Sequence, residues 1–163
     1  MAYLLDSNVF IQAKNLYYGM DFCPAFWEWL VNANQAGSVL SIQKVRDELL
    51  AGDDELADWA RQRGEEFFLP LGEDTFAALS QTAEWMRGRY QPGAIASFLQ
   101  DADYYLVAYA LAHGHDVLTH EIPSDSTKRV KIPTVCIGMN LRYMSPFEML
   151  RRLRARFVLG NTG

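Results

Sequence analysis

The chain is poor in cysteine. Cys23 and Cys136 are its only two. They lie far apart in the sequence and neither belongs to a C-x-x-C pair, which excludes a disulfide scaffold and predicts two reduced thiols in a reducing cytosol. Histidine is as scarce, and His113, His115 and His120 lack the spacing of a zinc site. No G-x-x-x-x-G-K-S/T or G-x-G-x-x-G element occurs, so nucleotide-driven chemistry has no support. A Ser–His–Asp hydrolase lacks its G-x-S-x-G elbow. No apolar run approaches the roughly 20 residues of a membrane span. The opening MAYLLDSNVF has neither a basic region nor a long apolar stretch, so no signal peptide is expected. These absences predict a soluble, cytoplasmic protein with no membrane association.

Positive charge is also in deficit: 15 Lys and Arg stand against 20 Asp and Glu, a net charge of -5. That excludes coating of nucleic acid through bulk charge. It is compatible with a site that holds a divalent cation, since such a site is itself acidic. The basic residues cluster locally, at Arg151, Arg152, Arg154 and Arg156, at Arg61 with Arg63, and at Arg87 with Arg89. No Gly/Ser linker, repeat or low-complexity tract divides the chain. Its 163 residues, half of them hydrophobic, suit one domain over 1–163 that needs no disulfide or structural metal.

The apolar pattern alternates short runs with helical periods. Ala2 to Leu5 reads as a buried strand ending in Asp6. Val9 to Lys14 starts a helix, and Tyr17 to Asp21 is a loop broken at Gly19. A helix is expected over Pro24 to Asn34, with Pro at its first position. Val39 and Leu40 form a short apolar stretch, and Ser41 is read as the N-cap of a helix through Val45, Glu48 and Leu49. Asp53 and Asp54 start another through Leu56, Trp59 and Ala60. Phe67 to Leu71 makes a poor central strand because of Pro70. Thr75 to Arg87 reads as a helix and Gln91-Pro92-Gly93 as a loop. Asp103 to His113 is a buried helix stopped by Gly114. Asp116 to Thr119 reads as a strand, Ile122 to Lys128 as a polar loop, and Val130 to Ile137 as a β-rich segment interrupted by Pro133. Ser145 to Glu148 is a capping box for a last amphipathic helix through Leu150, Leu153 and Phe157. The pattern predicts an α/β three-layer sandwich, with a central mainly parallel sheet flanked by helices. In such sheets, sites form at the carboxyl ends of strands.

Four acids stand at marked places. Asp6 ends the first strand, Glu48 lies inside a helix, Asp103 starts the buried helix, and Glu121 follows the strand DVLT. If the sheet is parallel, the ends after the first strand and after DVLT can share one rim, and the start of the Asp103 helix can face that same rim. Carboxylates gathered there repel one another unless a cation lies between them. Mg²⁺ or Mn²⁺ prefers oxygen ligands and would activate water against a phosphodiester. Each acid also has a plainer reading: Asp6 caps a turn, Glu48 is a solvated helix residue, Asp103 is an N-cap, and Glu121 is a surface charge.

Three segments resemble the PIN-domain ribonucleases. LLDSNVFI is similar to the family's first strand and turn, KVRDELL to the helix that supplies its Glu, and DADYYLVAYALAHGHDVLTHE to its Asp-headed helix and following strand. The resemblance runs roughly from Tyr3 to Leu153. The nearest likeness is to a small bacterial PIN-like subgroup with an aromatic-rich segment after strand one, here NLYYGMDFCPAFWEWL. It implies an endoribonuclease dependent on Mg²⁺ or Mn²⁺, with Asp6, Glu48 and Asp103 as metal ligands and catalytic core. Glu121 stands where the family more often has Asp, and is the fourth catalytic candidate. Asp101 and Asp125 are alternatives to Asp103 and Glu121. Asn8 or Ser7 would orient Asp6 or a water. The resemblance also implies an RNA substrate, a VapC-like toxin role with an antitoxin protein that occupies the site, and a homodimer.

Among the aromatics, Tyr17 and Tyr18 are the best candidates for base stacking. Phe22, Phe26, Trp27 and Trp29 suit a core or a dimer face as well. His120 is placed to donate to a phosphate. The RRLRAR run reads either as a phosphate contact or as a solvated helix face. Two other functions stay open. One is a non-catalytic PIN-like protein-binding module, suggested by the aromatic content and the acidic balance. The other is a phosphatase of another α/β family, which normally needs a second Asp two positions after the first, where this chain has Asn8.

Overall fold

The computed structural model describes residues 1–160, so the last three positions of the expected domain lie outside the described residues. The chain alternates strands and helices: β1 Tyr3–Leu5, α1 Ser7–Gln12, α2 Pro24–Gln35, β2 Val39–Ile42, α3 Gln43–Leu50, α4 Glu55–Arg61, β3 Phe68–Leu69, α5 Phe76–Met86, α6 Pro92–Leu99, α7 Ala102–His113, β4 Asp116–Leu118, α8 Ile132–Gly138, β5 Tyr143–Met144 and α9 Pro146–Arg152. A π-helical turn, Ala13–Tyr17, continues α1, and a 3-10 turn, Glu73–Thr75, precedes α5. The five strands form one sheet in the order β3–β2–β1–β4–β5, every pair parallel. Helices flank it in a three-layer α/β sandwich, as expected. Among the described residues no helix is long and apolar enough to cross a membrane.

The strand order fixes where a site can form. The chain leaves β1 toward β2 and β3, then crosses back to lay β4 on the other side of β1. The carboxyl ends of β1 and β4 therefore flank the switch point, where crossovers leave the sheet in opposite directions and open a crevice. Tyr3 pairs with Asp116 and Leu5 with Leu118. That register carries Asp6 to the same rim as Thr119.

The sheet is buried on both faces: Leu4, Leu5, Val39, Ile42, Val117 and Leu118 have no exposed surface. Against one end of it packs an aromatic cluster. Phe10 lies 5.8 Å from Trp59, 6.0 Å from Phe67 and 5.9 Å from Phe68, and Trp27 meets Trp59 edge-on at 5.2 Å. Phe26 and Trp27 are thus core residues. α7 is buried along most of its length, from Ala102 through Ala110. It ends where Gly114 takes the left-handed conformation, φ 71°, which glycine adopts without steric penalty.

Several local expectations change. Ser41 is not a helix cap. It lies in β2 and its hydroxyl donates to the Leu5 carbonyl at 2.7 Å, tying β2 to β1. Pro92 opens α6 rather than a loop. Val130–Ile137 is not a strand. Pro133 sits in the first turn of α8, where its fixed φ suits a helix, and Ile132, Val135 and Cys136 turn one face to the core at helical spacing. Tyr143–Met144 instead supplies the edge strand beside β4. α9 stops at Arg152, and Phe157 packs beyond it edge-on against Phe26 and Trp29.

α4 has the expected acidic cap. The Ala57 N–H donates to Asp54 Oδ1 at 2.9 Å and Lys14 Nζ pairs with Asp54 Oδ2 at 2.9 Å, which together hold the carboxyl below its usual range. Asp54→Ala should lower unfolding stability by about 1 kcal/mol, most of it from the cap, since the exposed ion pair adds little. A urea midpoint unchanged from wild type would refute that assignment.

Candidate functional site

Asp6 is held from the β4 side. Its backbone N–H donates to the Leu118 carbonyl at 3.1 Å. Thr119 Oγ1 donates to Asp6 Oδ2 at 3.1 Å, and the Glu121 N–H donates to the same threonine oxygen at 3.1 Å. The Asn8 backbone N–H also points to the Asp6 carboxylate. Asp6 is 1% exposed, and its Oδ1 is buried with no hydrogen-bond donor. Asp103, in the first turn of α7, faces Asp6 at hydrogen-bonding range. Two carboxylates so placed need a shared proton or a cation between them.

Glu48 is held separately. Ser7 Oγ donates to Glu48 Oε2 at 2.6 Å, and the Ala102 N–H approaches Oε1 at 3.4 Å. Asp101, the residue just before α7, lies in hydrogen-bonding range of Glu48. The acids thus form two couples, Asp6 with Asp103 and Glu48 with Asp101, joined by the short step from Asp101 to Asp103. The expected trio Asp6, Glu48 and Asp103 is divided between them. Among the described residues no three Asp, Glu, His or Cys side chains are gathered as ligands of one ion. Glu121 stands beside the first couple and repels both members, while its Oε2 accepts from the Ile132 N–H at 2.9 Å. Asp125 is elsewhere, in a separate hollow with Trp85 and Tyr90.

Residues 3–157 match the family described as Domain of unknown function (DUF4411). The chain belongs to that family. No curated protein and no solved structure matches it. The DUF4411 match spans all five acids.

The electrostatics of this DUF4411 cluster follow from burial. Desolvation raises the Asp6 carboxyl to about 6, with the Glu121 charge adding to it and the Thr119 hydroxyl opposing it. Asp103 is raised further, to about 9, by desolvation and then by the charges of Asp6, Asp101 and Glu121. Glu48 is raised mainly by desolvation, against the Ser7 hydrogen bond. A cleft of about 370 Å³ opens onto the cluster, lined by Asp101, Asp103 and Glu121 together with Lys128, Arg129 and Val130. A second hollow shares Glu121 and is lined by Thr119, His120, Ile122 and Phe147. Tyr17 stacks on His120 at 5.5 Å and meets Phe147 edge-on at 4.9 Å. Burial lowers the His120 pKa, which favours the neutral ring.

Not every expected binding residue joins this rim. Tyr18 stacks on Phe26 at 4.3 Å and its carbonyl accepts from Trp27 Nε1, so its ring is committed to the core side. The Asn8 side chain is exposed, and only its backbone serves Asp6. Ser7 orients Glu48 rather than Asp6. The arginines of RRLRAR line neither hollow, and Arg152 pairs with Glu148 one helical turn away at 2.8 Å. Sequence reasoning missed Lys128, Arg129 and Phe147, and ranked Asp101 below Asp103. The D-x-D spacing at a helix start was the available signal for Asp101.

Proposed function

We propose that this DUF4411 chain is a metal-dependent endoribonuclease with a PIN-type site. The observation that carries the reading is the buried contact of Asp6 with Asp103, in which Asp6 Oδ1 lacks any donor. The donor set is all carboxylate oxygen, which suits Mg²⁺ or Mn²⁺. Asp6 and Asp103 would hold the ion, with Glu48, Asp101 and Glu121 as the remaining acids within the cluster. Bound there, it would lower the pKa of a water and stabilise charge on the phosphodiester under attack. The chain's own residues have distinct tasks. Thr119 fixes the Asp6 carboxylate and Ser7 that of Glu48. Tyr17, His120 and Phe147 offer aromatic faces to an unpaired base. The proposal extends to a toxin role in the cytoplasm, with a homodimer and an antitoxin protein that covers the site.

Purified protein should cleave single-stranded RNA in Mn²⁺ or Mg²⁺ and lose that activity on adding EDTA. Calorimetry should register Mn²⁺ binding. Absence of both signals rejects the reading. One observation favours a protein-binding module instead: an open, largely apolar groove of about 400 Å³ lined by Met20, Trp27, Val31 and Trp59, with none of the five clustered acids in its lining. That alternative predicts no Mn²⁺ heat.

A further inference from the structure

Lys128 and Arg129 line the same cleft as Asp101, Asp103 and Glu121. Both are exposed, and neither forms an ion pair with any acid of the described residues. Exposed ion pairs are worth little, so both cations stay available to an anion that enters the cleft. The segment between β4 and α8 has no regular structure, yet it is pinned along its length. The Gln91 N–H donates to the Thr127 carbonyl at 2.9 Å. The Ser124 N–H donates to Thr134 Oγ1 at 3.0 Å, and the Lys128 N–H to Ser126 Oγ at 3.2 Å. Val130 is buried, and the Ile132 N–H is tied to Glu121. Lys128 and Arg129 therefore occupy a fixed position between the Thr127 and Val130 anchors.

The cleft lining thus combines three acids with two bases that are not paired to them. A ligand suited to both carries negative charge at regular intervals along an extended chain. One anionic group meets the carboxylates through a cation, and the next meets the bare basic pair. A polynucleotide backbone has that charge pattern.

We propose that Lys128 and Arg129 hold a backbone phosphate of the polynucleotide next to the one at the carboxylates. This subsite rests on the nuclease reading and names two residues that reading does not require. The Arg guanidinium would take two phosphate oxygens as a fork, and the Lys ammonium would act as a point charge. Both are positioning residues.

The test uses a short fluorescein-labelled oligouridylate, with anisotropy read in Ca²⁺ and steady-state cleavage read in Mn²⁺. Lys128→Ala/Arg129→Ala should weaken binding about tenfold and lower the slope of log affinity against log salt by about 1.4, two contacts at roughly 0.7 each. KM should rise with kcat nearly constant, and calorimetric Mn²⁺ affinity should match wild type. Lys128→Arg/Arg129→Lys should keep the wild-type salt slope. Wild-type KM and salt slope in the double alanine variant would overturn the subsite while leaving the nuclease reading intact. An RNA-binding but non-cleaving wild type that loses binding in the variant would keep the subsite and reject the nuclease. A wild type that neither binds nor cleaves overturns both.

Discussion

Asp103→Asn should reduce metal-dependent RNA cleavage by on the order of a hundredfold or more, at or beyond the roughly 10–100-fold cost of losing even an outer-shell partner of a metal ligand. The same substitution should stabilise the metal-free protein above about pH 9, where the wild-type Asp103 carboxyl has lost the proton it shares with Asp6. In wild type, Asp103 faces Asp6 and is also repelled by Asp101 and Glu121. An amide at this position removes one of those charges and supplies an N–H₂ to Asp6 Oδ1, the buried oxygen with no donor. Satisfying such an atom is worth about 1–3 kcal/mol, which for a chain of this size raises Tm by roughly 2–4 °C per kcal/mol. Asp6→Asn should behave alike, with its carbonyl oxygen kept on Thr119 and its amide turned to Asp103. Loss of activity with a gain in Tm separates a functional carboxylate from a structural one. Full activity in both purified variants, or a lower metal-free Tm in both above about pH 9, would defeat the assignment.

Metal-free protein should lose stability as pH rises from about 7 to about 9. The Asp103 carboxyl is raised in the folded chain, from an unfolded value of 3.8 to about 9, and Asp6 to about 6. The folded state therefore binds more protons than the unfolded one. Its stabilisation is complete below the unfolded value and is lost as pH climbs through the folded values. Below about pH 6.5 the histidines work the other way, because burial lowers the pKa of His115 and His120 and favours their neutral rings. The interval above pH 7 is consequently dominated by Asp103. The loss there should be on the order of a few kcal/mol, visible as a falling Tm in EDTA. Mn²⁺ should flatten the profile by replacing the shared proton, and Asp103→Asn should flatten it without metal. A metal-free Tm that climbs steadily from pH 7 to 9 would contradict the proton count.

Much of the architecture was legible because its signals are local. YLL before Asp6, the buried ADYYLVAYALAH helix with its glycine stop, and the Ser145–Glu148 box each follow from apolar period or capping chemistry. The failures have physical causes too. Val130–Ile137 is rich in β-branched residues, yet a proline at a first helical turn outweighed that preference. Ser41 looked like a cap, because the sequence cannot show that its hydroxyl bridges two strands. Asp6, Asp103 and Glu121 were found as positions on one rim, but the division of the acids into two couples depends on side-chain directions at the start of α7. The basic pair lay in a polar loop whose shape is set by hydrogen bonds to α6 and α8, contacts that no period in the sequence encodes.

Glu121 belongs to both hollows, and one of its oxygens is anchored to the first turn of α8. It therefore acts as a fixed partition. On the nuclease reading, a nucleotide straddling it would send its sugar–phosphate chain down one side and its base down the other, toward Tyr17, His120 and Phe147. A base still paired to a complementary strand is not free to part from its neighbours in this way, so a hairpin stem would have to melt before it could settle across the divide.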